Sequence, residues 1–404
     1  MSEPRTPADV ATLEGALRLH TLYLKKDEAG EKLVLRFSDL NGVDLAGYNL
    51  SGADFTGTTF VGARLTRCNL ENADFTGTDL RQADLRSSNL KKTNLRGAIL
   101  IEADLSFTDM SEADCREDEH ATKPKTVGAV TFRQKRRAVN ATRANFTGAK
   151  LDFAKLSKAN ASYANFRDCT LRQCKFDNAT LTNSDFTGAN LESADLVGAN
   201  ISGASFVDAI LTRASFGGNL PPESMTLGAV FEPNLKDKAE IEKLAAMVEL
   251  HEAWYNTSAK SGAVAILDDL DLRLVQGLFV NKLLTALSAK NTCAAGVGFA
   301  NSQLQGANFT RADLRGADFS GADLRGGNFR QARLTNTNFS NANLGELVLK
   351  ASKIKYTDFT AAQLPYSNFD GADVSGAIFY DAEMEGATFV GAKTAGVKRG
   401  RAPK

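Results

Sequence analysis

Large apolar residues return at every fifth position over most of this chain, each with a small residue two places before it. The stretch from residue 53 reads ADFTG-TTFVG-ARLTR-CNLEN-ADFTG, and the stretch from residue 306 reads GANFT-RADLR-GADFS-GADLR-GGNFR. Neither a helix, with its period of about 3.6, nor a strand, with its period of about 2, produces that spacing. A period of five means a chain that turns a corner each quintet and coils on itself. The large apolar residue is called the centre here, and the small one the pre-centre.

The quintets fall into three blocks. Centres run from Leu40 to Cys115, from Phe146 to Phe216 with Phe231 in the same register, and from Leu304 to Phe389. Pre-centres are nearly all Ala, Ser, Thr or Cys, as in Ala144, Ala149, Ala154 and Ala159. Two inward residues per quintet, one of them small, fill a narrow tube. The other positions carry Asp, Asn, Arg, Lys, Thr and Gly, which suits solvent and corners. Phe146, Phe166, Phe186 and Phe206 predict the length of one turn. If four quintets close a coil, these rings stack up one face at the strand spacing of about 4.8 Å. Tyr48 and Leu347 occupy pre-centre positions and predict bulged or open coils, while Ala161 is an under-filled centre.

The pattern resembles the pentapeptide-repeat family, whose consensus is close to A(D/N)LXX. That resemblance implies an all-β repeat solenoid, a right-handed quadrilateral β-helix with short strands and square corners. Outside the repeats, residues 8–26 read as a helix through Val10, Leu13, Leu17, His20 and Leu24, and residues 236–256 through Leu244, Val248, His251 and Tyr255. LRLHTLYL around His20 aligns with VELHEAWY around His251. The chain therefore reads as a duplicated module with its boundary near residue 233. Residues 1–232 hold a cap helix, block one (36–117), the loop 116–143 and block two (139–218). Residues 233–404 hold a second cap helix, block three (297–391) and a disordered basic tail, 392–404. Residues 217–233, with Pro221 and Pro222, read as a linker. The helices cover coil ends that would otherwise expose backbone groups and apolar centres. His20, Tyr23, His251 and Trp254 are the structural cap residues, with both aromatic rings packed on the first coils.

Net charge is zero, from 48 basic and 48 acidic residues, which argues against a general nucleic-acid-binding surface. No apolar run reaches membrane-span length, and the N-terminus lacks a secretory h-region, so a cytoplasmic location is the expectation. Cys68, Cys169 and Cys174 are pre-centres and Cys115 a centre, which makes them buried space-fillers rather than metal ligands. The basic run Arg133, Lys135, Arg136 and Arg137 reads as part of a solvated loop. No phosphate loop, nucleophile elbow or zinc spacing occurs. The expectation is a non-enzymatic protein without cofactor or metal.

Sorting block three into four faces gathers Arg311, Arg315, Arg330, Arg333, Lys350, Lys353 and Lys355 on two adjacent faces. Asp318, Asp323, Glu346, Asp358, Asp381, Glu383 and Glu385 fall on the other two. The basic faces are a candidate interaction surface. In block two an uncharged face is a candidate packing surface for another module or subunit, through Ala159, Ser162, Tyr163, Thr180 and Asn200. These features predict a scaffold or adaptor that binds an unidentified protein partner. The alternative, implied by the resemblance, is a DNA mimic that occupies the DNA site of a type II topoisomerase such as gyrase. Blocks one and two intersperse Arg and Lys among their acids, unlike the dense charge of a duplex, about one per 1.7 Å of axis.

Overall fold

Most coils are held to the next by parallel main-chain bridges between residues twenty apart, such as Val34 to Asp54, Asp54 to Asp74 and Asp74 to Asn94. Four quintets thus make one turn. The computed structural model describes residues 10–118, 125–127, 130–132, 137–233, 238–349 and 353–402. These form two compact units, residues 1–231 and 232–404.

Most corners are turns in which the next pre-centre N–H bonds the centre carbonyl, as Ala53 does to Leu50 at 3.0 Å. The residue two after the centre takes a left-handed backbone, with φ near +65° at Gly62 and Gly77 and +58° at Asn72. That conformation explains the Gly and Asn at this position. Centres and pre-centres line the tube: Phe55, Phe60, Leu65 and Leu70 are fully buried, as are Ala53 and Ala63. Asp and Asn before the centres hold the corners from outside, as Asp54 does by accepting the Thr56 N–H at 3.0 Å.

In unit one, blocks one and two are a single coil. Ile99 bridges Asn140 and Asp114 bridges Lys155, so the second block seats directly on the first. The intervening loop is an insertion that carries a short hairpin, β1 (Lys125–Val127) and β2 (Val130–Phe132). Arg133, Lys135 and Arg136 lie outside the described residues. Phe146, Phe166, Phe186 and Phe206 stack with centroids 4.7–5.1 Å apart and planes within 4°. The segment read as a linker also coils: Ile210 bridges Val230, and Leu211 N–H bonds the Val230 carbonyl at 2.7 Å.

Unit two departs from the sequence reading in three places. Its coil starts earlier than residue 297, since Ile266 already bridges Ser288, and the first turn is lengthened by a 3-10 turn at Leu272–Val275. A strict five-residue register fails after Leu344. Asn328 bridges Asp358, thirty residues on, because ten residues leave the coil as a hairpin of β3 (Leu347–Val348) and β4 (Ile354–Lys355). Leu349 and Ile354, in register as centres, are exposed there. The tail read as disordered instead continues the coil: Asp373 bridges Lys393, and β6 (Lys398–Gly400) pairs in parallel with β5 (Ile378–Tyr380).

The Phe ladders follow the corrected register. One runs Phe299, Phe319, Phe339, Phe369 and Phe389, the other Phe309, Phe329, Phe359 and Phe379, with neighbouring rings 4.7–5.3 Å apart. They meet edge to face across the tube at 5.6–6.3 Å, as in Phe309 with Phe319, Phe359 with Phe369 and Phe379 with Phe389. Offset and edge contacts are the favoured aromatic geometries. The tube is therefore filled and rigid.

Candidate interaction surfaces

A helix lies at the N-terminal end of each coil: α1 (Val10–Leu24) in unit one, α2 (Lys238–Asn256) in unit two. Leu17 and His20 of α1 are buried, as are Leu244, Val248 and His251 of α2. The two histidines do the same chemistry. Leu33 N–H donates to His20 Nδ1 at 3.1 Å, and Ala265 N–H donates to His251 Nδ1 at 2.8 Å. Leu33 and Ala265 are the first pre-centres of their coils. Later pre-centres such as Val43, Ala53 and Ala63 bond the carbonyl of the quintet before them; the first has no quintet before it, and a ring nitrogen stands in. Accepting that bond requires Nδ1 unprotonated. Burial lowers the pKa of both rings; Lys32 adds to this at His20, and at His251 the Thr285 main chain and Glu252 partly oppose it. Gly30 and Gly262 return the chain against the helix backbone, where a Cβ would come within 2.1 Å of Tyr23 N or the Leu250 carbonyl.

The aromatic rings of the caps do not match the expectation of burial. Tyr23 stacks on His20 at 5.8 Å but is 45% exposed, and Trp254, 5.5 Å from His251, is half-buried. Each sits three residues after its histidine, at the margin of the buried stripe rather than in it.

The separated charge of block three disappears. Removing ten residues from the coil shifts all later quintets by two sides, onto the opposite face. Asp358 therefore stands beside Arg330, which donates to it at 3.0 Å, and Glu383 joins the column of Asp313, Arg333 and Gln363. Arg315 is not a free surface cation: it is 3% exposed, paired with Asp313 at 2.5 Å, and Arg333 approaches the same carboxylate at 3.6 Å. Burial opposes the Asp313 charge, but the Arg315 hydrogen bonds and charge hold its pKa below the usual range. Arg311 donates to Gln331. Lys353 and Lys355 belong to the hairpin, where Lys355 Nζ donates to the Gly306 carbonyl, and Lys350 lies outside the described residues.

The uncharged face of block two does stack, with Asn160 bridging Thr180 and Thr180 bridging Asn200. Ala159 does not belong to it, being fully buried in the tube as a pre-centre. Ser162 is half-buried and bonded to Asn160, Thr180 is half-buried, and Asn200 and Tyr163 are exposed.

Tyr163 points to a feature that face sorting missed. Phe37, Phe107, Phe153 and Tyr163 each sit two residues after a centre, at left-handed corners with φ of 54°, 60°, 62° and 59°. All four are 43–55% exposed. Most other corners carry Gly, Asn or a polar side chain such as Arg67, Gln82, Lys92 or Glu102 that reaches into solvent, whereas these four place a large ring there. The signal was present in the sequence as an aromatic at the Gly position, in LSF at 105–107 or ASY at 161–163. Among the described residues, no group of His, Cys, Asp and Glu could hold a metal, and no helix is long and apolar enough to cross a membrane. The core thiols are held up by burial, Cys68 to about 11.

The family description "Pentapeptide repeats" matches residues 38–77, 78–116, 137–173, 174–213 and 296–331, and "Pentapeptide repeat region" matches 322–398. The chain belongs to the pentapeptide-repeat family. Among solved structures it is similar to HetL, a pentapeptide repeat protein involved in heterocyst differentiation regulation in the cyanobacterium Nostoc sp. strain PCC 7120. Identity is 20% over 77% of this chain and 86% of HetL, at a TM-score of 0.26. It is similar to QnrB1, a plasmid-mediated fluoroquinolone resistance protein, with 20% identity over 53% of this chain and 91% of that one, at a TM-score of 0.23. A third is Rfr23 of the cyanobacterium Cyanothece 51142, with 26% identity over 35% of this chain and 88% of that one, at a TM-score of 0.23. A search of curated proteins found no match.

Proposed function

We propose that this protein is a non-enzymatic scaffold that binds a protein partner along the faces and corners of right-handed, four-sided coils. The observation that carries this reading is the set of exposed aromatic side chains at corners of unit one. A large ring held by a fixed backbone contributes contact area at little cost in conformational entropy. DNA mimicry asks for an unbroken anionic face. Here the acids are answered by the chain's own bases: Arg81 on Asp79 at 2.7 Å, Arg86 on Asp84 at 2.7 Å, Arg172 on Asp152 at 2.6 Å.

The test uses wild type and a variant with Phe37, Phe107, Phe153 and Tyr163 all changed to glycine as baits in extracts of the source cell. A partner retained by wild type and lost by the variant supports the reading; equal retention overturns it. In a gyrase supercoiling assay at equimolar protein, no inhibition is expected. Stoichiometric inhibition would instead establish the mimic.

A further inference from the structure

We propose that the recess beside Phe107 in unit one is a docking site for an acidic protein segment. Arg67 takes a glutamate or aspartate carboxylate, and Phe107 covers an apolar residue of the same segment. This rests on the scaffold reading and names the chemistry of the partner.

The recess measures about 490 Å³. Small corner residues Gly47 and Ser87 leave it open, Arg64, Arg67 and Arg86 wall it, and Phe107 closes one end. Two of the three guanidinium groups already have carboxylates. Arg64 donates to Asp44 at 3.0 Å; Arg86 holds Asp84 at 2.7 Å and faces Asp104 at 3.9 Å. Among the described residues, no carboxylate pairs with Arg67, which is exposed. The recess therefore offers one uncompensated positive charge beside an exposed ring. One carboxylate satisfies it; a phosphate-rich chain would bring charge with nothing to meet it.

The spacing agrees with a peptide. Arg67, Ser87 and Phe107 occupy successive rungs of one corner column, each main chain tied to the rung above: Arg67 N–H to the Arg86 carbonyl at 3.0 Å, Phe107 N–H to the Thr147 carbonyl at 3.0 Å. Two rungs at about 4.8 Å each place these residues roughly 10 Å apart. An extended segment covers that distance in about three residues. An acid and an apolar residue three positions apart can engage both at once.

The test is an NMR titration of the full ¹⁵N-labelled chain with acetyl-Glu-Ser-Ser-Phe-amide, read at the Arg67 Nε–H and the Ser87 amide. Saturable shifts are expected, with acetyl-Gln-Ser-Ser-Phe-amide at least tenfold weaker. Arg67→Gln and Phe107→Gly should each weaken binding at least fivefold, while Phe153→Gly binds as wild type. Equal binding of the two peptides, wild-type binding by either variant, or no shift up to millimolar peptide overturns the proposal. So does tighter binding of a single-stranded oligonucleotide at the same resonances. If the peptide fails but the four-glycine bait still loses its partner, this site is wrong and the scaffold reading stands. If the peptide binds but that bait keeps its partner, the scaffold reading falls and the recess remains an acid-binding site.

Discussion

Replacing His251 by Ala tests how the coil of unit two begins. The substitution removes the acceptor of the Ala265 N–H, a 2.8 Å bond between fully buried groups. An orphaned buried donor costs about 1–3 kcal/mol. The ring also leaves a cavity between α2 and the first coil, and large-to-small changes at buried positions cost about 2–5 kcal/mol. The two terms share one site and are not independent, so a total near 4 kcal/mol is expected. His251→Phe fills the cavity but still orphans the N–H, and should lose about 1–2 kcal/mol. Trp254 is the sole tryptophan of the chain and contacts His251, so its fluorescence during urea denaturation reports this end directly. pH gives a second signature. The folded ring has a pKa below its ordinary 6.5, so the unfolded chain binds the proton more readily. Stability from this group is complete above about pH 6.5 and falls as pH drops toward the folded value. That slope should weaken in both variants. An Ala variant within about 1 kcal/mol of wild type, with an unchanged pH slope, would refute the argument.

Deleting residues 117–137 joins Arg116 to Ala138 and leaves Val139 as the pre-centre of Ala141 in unbroken five-residue register, so the variant should fold with stability within about 1 kcal/mol of wild type by thermal denaturation. Phe107→Gly relieves a side chain held at φ 60°, a conformation that costs about 1–2 kcal/mol, against the greater chain entropy of glycine, about 0.5–1 kcal/mol; stability should be unchanged or slightly higher. Arg315→Ala leaves the partly buried Asp313 carboxylate with Arg333 at 3.6 Å and the more distant charge of Arg273, and should destabilise unit two by about 1–3 kcal/mol, measured by urea denaturation at neutral pH. Because the Asp313 pKa is depressed, its contribution is present above the ordinary carboxylate pKa of 3.8 and is lost as pH falls through the folded value, so the cost of Arg315→Ala should shrink in acid.

The coil was legible because its rule is local. Each quintet carries its own centre, pre-centre and corner, so period, tube and ladder followed from residues five and twenty apart. The interruption in block three was less legible because little in the local sequence marks it. Leu349 and Ile354 are apolar and in phase, yet they leave the coil; only the bulky Leu347 at a pre-centre gave warning. One unseen ten-residue insertion was enough to invert the face assignment of Asp358 and Glu383. The start of block three was obscured because its first turns depart from five-residue spacing around Leu272–Val275. The aligned histidines were visible as a pair, but their bond to the first pre-centre depends on where the helix docks. Exposed aromatics at corners were present in the sequence and became meaningful once the coil placed their rings on its outer surface.

The most direct measurement is site-specific photo-cross-linking in source-cell extract, with a photoreactive phenylalanine at Phe37, Phe107, Phe153 or Tyr163 in turn and at the corner residue Asn183 as control. The account predicts a discrete adduct with one protein from at least one aromatic corner and none from Asn183. Unlabelled wild type should displace it, and the four-glycine variant should not. Adducts of equal yield from all five positions, or displacement by both competitors alike, would contradict it.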